Sequence, residues 1–122
     1  MSRWEVEDED WDRVRDQLKD AIIEVARRRD LIAYSDLVRG VPEIDGAQSH
    51  ALAAMLGEIG GQCRAEGLPL LSSLVVYKDK SGPGPGFYQA AEQLGLSTGS
   101  NAMAREEFWW RQVAKCHEYW AR

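Results

Sequence analysis

Two cysteines and two histidines are all that 122 residues hold, and this scarcity limits the chemistry open to the chain. Cys63, Cys116, His50 and His117 lack the spacing of about two to four residues that structural zinc sites use. No metal and no cofactor is expected. A disulfide framework is equally unexpected, and such sparse cysteine usage implies a reducing cytoplasm. No apolar run is long enough to cross a bilayer, and the start, Met1 to Asp12, is acidic where a secretory signal is basic and then apolar. There is no Gly-x-Ser-x-Gly elbow and no thiol with an evident activating neighbour. Enzymatic activity is therefore the least supported reading.

Excess positive charge is missing too. The formal net charge is −5, and the whole of it lies in the first twelve residues, where Glu5, Glu7, Asp8, Glu9, Asp10 and Asp12 face only Arg3. The remainder is neutral, which neither requires nor excludes a polyanionic partner. Residues 1–9 read as an acidic leader and 10–122 as one domain, which at this length buries about two thirds of the surface of its unfolded chain.

Apolar residues are plentiful, and their spacing gives the helices. Trp11, Val14, Leu18, Ile22 and Val25 recur every three or four positions and predict an amphipathic helix from Asp10 to Arg29. Acids in its first turn and Arg27, Arg28 and Arg29 in its last oppose the macrodipole. Leu31 to Tyr34 reads as a short strand, with Ser35 capping a brief helix over Asp36 to Arg39 that Gly40 closes. Asp45 with Gln48 resembles a capping box and predicts a helix from Asp45 to Glu66, in which Gly60 and Gly61 suggest a close approach by another backbone. The run Leu70 to Tyr77 predicts a buried strand. Gly82-Pro83-Gly84-Pro85-Gly86 predicts a rigid exposed wing, with a return strand at Phe87 and Tyr88. Phe87, Ala90, Ala91 and Leu94 also carry helical spacing, and Trp109, Val113, Cys116 and Trp120 predict a closing helix from Ala102 to Trp120.

The expected fold class is α+β, helix-rich and winged-helix-like, with a small antiparallel β-hairpin sheet packed on helices. Within that order, Ile32-Ala33-Tyr34-Ser35-Asp36-Leu37, then Leu68-Pro69-Leu70-Leu71 and Val75 to Tyr88, resemble the C-terminal domain of alkylguanine-DNA alkyltransferases and alkyltransferase-like proteins over about the middle half of the chain. The resemblance implies a fold only. The family's Pro-Cys-His-Arg acceptor motif is absent, because the corresponding stretch reads Ser72-Ser73-Leu74-Val75, so alkyl transfer is excluded there. Tyr34 falls where that family has its base-rotating aromatic. The Gly-Pro-Gly-Pro-Gly turn instead resembles small bacterial proteins with a Pro-Gly-Pro-Gly-Phe signature, which implies no activity.

The sequence thus reads as a non-catalytic binding module, and two interfaces compete. A protein partner or self-association would use Trp110, Arg111 and Tyr119 on the last helix, side chains of the kind that dominate protein contacts, together with Pro83 and Pro85 in the rigid wing. Nucleic acid would use Lys78 and Lys80 at the base of the wing, Tyr34, and the outward residues Gln48, Ser49 and Arg64 of the Asp45 to Glu66 helix. Membrane association is not expected.

Overall fold

The computed structural model describes residues 2–79 and 81–121, with the side chains of Ser2 and Arg3 left aside. Two very short strands, β1 (Ser2–Arg3) and β2 (Val6–Glu7), form an antiparallel hairpin ahead of helix α1 (Asp8–Arg27). Then come β3 (Ile32–Ala33), α2 (Tyr34–Arg39), α3 (His50–Ala65), a 3-10 turn (Leu71–Leu74), β4 (Val75–Val76), α4 (Pro85–Gln93) and α5 (Ala102–Trp120). The architecture is helix-rich α+β. No helix among the described residues is long and apolar enough to cross a membrane.

The apolar stripe of α1 is buried as its spacing predicts, through Trp11, Val14, Leu18, Ile22 and Val25. Glu58 on α3 fastens that helix to its neighbour, accepting from Trp11 Nε1 at 2.8 Å and from Arg15 at 2.9 Å. Helix α3 ends at Gly67, whose φ of +70° suits glycine, and the Leu68 N–H returns to the Cys63 carbonyl at 2.8 Å.

The centre of the molecule differs from the expected hairpin. β4 pairs with β3, and the pairing is parallel, Ile32 opposite Val75 and Ala33 opposite Val76. Leu71 to Leu74 coil into the 3-10 turn, so only Val75 and Val76 of the predicted strand are extended. The cause lies in α5. Its Gln112 side chain accepts the Leu70 N–H at 2.9 Å, Trp109 Nε1 donates to the Ser73 carbonyl at 2.8 Å, and the Cys116 thiol donates to the Leu70 carbonyl at 3.3 Å. Buried backbone groups that already have partners need no sheet ladder.

The expected wing is also corrected. Gly82, Pro83 and Gly84 are buried, and the Tyr77 N–H closes the bend on the Gly82 carbonyl at 2.9 Å. Pro85 then starts α4, because its fixed φ suits the first helical position, where its missing N–H costs nothing. Phe87 and Tyr88 are helical and form no return strand.

Two helix starts shift as well. Ser49 caps α3 by accepting the Leu52 N–H at 3.1 Å, which leaves Asp45 and Gln48 in the preceding loop and not in a capping box. Ser35 lies inside α2, with its hydroxyl buried and without a hydrogen-bond partner, so it does not cap that helix. At Gly60 the close neighbours are side chains, Leu94 and Ser72, each 3.7 Å from where a Cβ would stand.

Candidate functional site: a tyrosine-walled cavity

The parallel bridge between β3 and β4 brings Tyr34, the first residue of α2, beside Tyr77, the residue after β4. Their ring centroids are 5.7 Å apart, tilted by 58°. The buried bend then lays its backbone against both. Gly84 donates its N–H to the Tyr34 hydroxyl oxygen at 2.9 Å, and a Cβ at Gly84 would stand 3.1 Å from the Tyr77 hydroxyl oxygen. A side chain here would be tight against the two hydroxyls, which favours glycine.

Behind this corner opens a cavity of about 340 Å³. Helix α3 supplies one wall through Ala53, Leu56 and Gly57, and α4 the facing one through Phe87 and Ala90. Ser72 and Gln48 add polar atoms. Its lining is mostly apolar, with a few hydroxyl and amide groups, the composition typical of small-molecule sites, and its volume lies within their range of roughly 300–1,000 Å³. Among the described residues that line it, none is acidic, basic, a histidine or a cysteine.

Burial pushes the Tyr34 hydroxyl above its ordinary pKa, although the Gly84 N–H pulls the other way, so the group is a neutral phenol at physiological pH. The two thiols lie elsewhere, in the core. Burial raises Cys63 and takes Cys116 up to about 12, which keeps both protonated and unreactive. No group of three or more potential metal ligands occurs among the described residues.

The loop that contributes Ala47 and Gln48 to the lining is tied to the N-terminal hairpin. Glu5 accepts from the Ser49 hydroxyl and from the Asp45 N–H, which holds the loop that places Ala47 and Gln48 in the lining. Beside it, Trp4 stacks on His50 with centroids 6.1 Å apart.

The residues singled out from the sequence fall into separate groups. Tyr34, Gln48 and Pro85 meet at the cavity, and Pro83 is buried next to it in the bend. The Ser49 hydroxyl is engaged by Leu52 and Glu5, and Arg64 donates to the Leu94 carbonyl at 3.2 Å. Lys78 is exposed just after Tyr77, and Lys80 lies outside the described residues. On α5, Trp110 and Tyr119 are exposed, but nine residues at about 100° each set them on opposite sides of the helix. Arg111 pairs with Glu107.

Sequence reasoning missed Tyr77, Ser72, Gly57 and Phe87 as parts of one site. The signal was present as two serines interrupting an apolar run and as a third glycine on α3, spaced to share a face with Gly60 and Gly61. Comparison with protein-family models, with curated proteins and with solved structures gives no match for this chain.

Proposed function

We propose that the protein is a non-catalytic binding module whose recognition site is the tyrosine-walled cavity. The observation that carries this reading is the lining itself. Four segments distant in sequence converge on about 340 Å³ of mostly apolar space, and their lining holds no carboxylate, imidazole, amine or thiol that could activate the hydroxyls of Tyr34, Ser72 and Tyr77. Such a site receives a ligand and does not transform it. The test is a thermal-shift screen of small fragments on the wild type and on Gly57→Leu. Gly57 lines the cavity and a Cβ there meets nothing within 4 Å, so a leucine has room to project into the space while a helical glycine is removed. Fragments should stabilise the wild type and not the filled variant. Hits that stabilise both equally would overturn the reading.

A second reading, contact with a protein partner through the outward side of α5, has its own support. Trp109 takes the core position, 3% exposed, while Trp110 beside it is 48% exposed and Met103, seven residues earlier on the same side, is 82% exposed. Trp110→Ala should then release a captured partner while leaving the fold intact. The nucleic-acid alternative has the least support, since the Ser49 hydroxyl and the Arg64 guanidinium are committed to internal contacts.

A further inference from the structure

The cavity's polar atoms narrow the ligand class, an inference that rests on the cavity being the recognition site. The Tyr34 oxygen accepts the Gly84 N–H, which leaves its own proton to be donated. Tyr77 presents a second hydroxyl at the same corner, since its oxygen lies closest to where a Gly84 Cβ would stand. Ser72 and Gln48 add groups that can donate as well as accept. The remaining surface is apolar, with Phe87 from α4 and Leu56 from α3 both in the lining.

Charge decides the rest. An ionised ligand would give up its hydration on entering and find no opposite charge among the described lining residues, which is costly for either sign. A flat, neutral ring loses little by desolvation and packs between the apolar walls.

We infer that the cavity between the Tyr34–Tyr77 corner and helices α3 and α4 binds a free, uncharged aromatic small molecule that presents a hydrogen-bond acceptor, such as a ring carbonyl or carboxamide, to the tyrosine hydroxyls. The acceptor sits at the corner, where it takes the Tyr34 proton, and the ring lies between Leu56 and Phe87.

The test uses probes of one shape and different charge. Titration calorimetry on the full chain compares 2-naphthamide with 2-naphthoate, with 2-naphthamidinium as the cationic probe. The amide should bind at least tenfold more tightly than either ion. Gly57→Leu should remove its binding, and Tyr34→Phe should weaken it about tenfold, as expected for the loss of one hydrogen bond in an apolar site. Circular dichroism on both variants establishes that they are folded. If an ion binds as tightly as the amide and Gly57→Leu still blocks it, the ligand class proposed here is wrong while the cavity remains the site. If Gly57→Leu leaves amide binding unchanged, both the class and the site are wrong. If none of the three probes binds, the class is wrong, and the site is then judged by the fragment screen alone. A tyrosine-containing or tryptophan-containing peptide that competes with the amide more strongly than free aromatic amides do would make the occupant a protein side chain and overturn the small-molecule assignment.

Discussion

The Tyr34 hydroxyl links the start of α2 to the bend before α4, through a bond to the Gly84 N–H that spans 50 residues of sequence. Because Gly84 is buried, deleting the hydroxyl strands a backbone donor. Tyr34→Phe should therefore lower stability by about 1–3 kcal/mol in urea unfolding, the cost of an unsatisfied buried group. Gly84→Ala tests the same corner by addition. A Cβ there would stand 3.1 Å from the Tyr77 oxygen and 3.5 Å from that of Tyr34, so the Tyr77 hydroxyl must give by a few tenths of an ångström and probes should bind more weakly even where the fold survives. Tyr34 was legible from the sequence as a candidate, through its place in a family pattern. Tyr77 was not, because an aromatic at the end of an apolar run reads as the end of a strand. Only the parallel bridge sets the two side by side.

The N-terminal hairpin, the start of α3 and the loop that reaches the cavity behave as one assembly. Ser49→Ala removes both the cap on Leu52 and the hydroxyl held by Glu5, and should cost about 1 kcal/mol for the cap alone. Burial raises the Glu5 carboxyl, but the Ser49 hydroxyl, the backbone N–H groups of Glu5 itself and of Asp45, and the nearby His50 together outweigh it, and the net shift is downward. A carboxylate with a depressed folded pKa contributes stability above its unfolded pKa and loses it as pH falls through the folded value. The wild type should therefore lose more stability on acidification than Glu5→Gln does, when urea midpoints are compared from neutral pH down to below the ordinary carboxylate range. Parallel loss in the two proteins would remove Glu5 from this role. Helix α5 poses a similar test. Gln112→Met leaves the buried Leu70 N–H without its acceptor and should cost about 1–3 kcal/mol. That bond also shows why Leu70 to Tyr77 misled. A short apolar run does not distinguish strand from helix, and the side chains that decide it lie about forty residues further on. Helices α1 and α5, whose apolar periods are complete within themselves, were legible to within a few residues, whereas α4 was legible only in its later part because Pro85 to Tyr88 read as wing and return strand.

For the whole molecule, the separation of core from surface on α5 matters most. The spacing of Trp109, Val113, Cys116 and Trp120 already set Trp109 on the packing stripe and Trp110 and Tyr119 off it, but left open whether the outer rings close the core or face solvent. Trp109 reaches inward to the Ser73 carbonyl while Trp110 turns out. Trp110→Ala should cost no more than about 1 kcal/mol, the worth of its ring contact with Trp109, and should leave probe binding at the cavity untouched. The composition of the site was legible only as parts, because its walls come from α2, α3, the 3-10 turn and α4. Their convergence depends on the parallel bridge and the buried bend, which residue spacing does not encode. Backbone amide chemical shifts of the labelled protein, followed while 2-naphthamide is added, test the account most directly. It predicts shifts concentrated at Ala53, Gly57, Gly84 and Phe87, around the cavity. Shifts confined to the Met103 and Trp110 side of α5, with the cavity amides still, would contradict it.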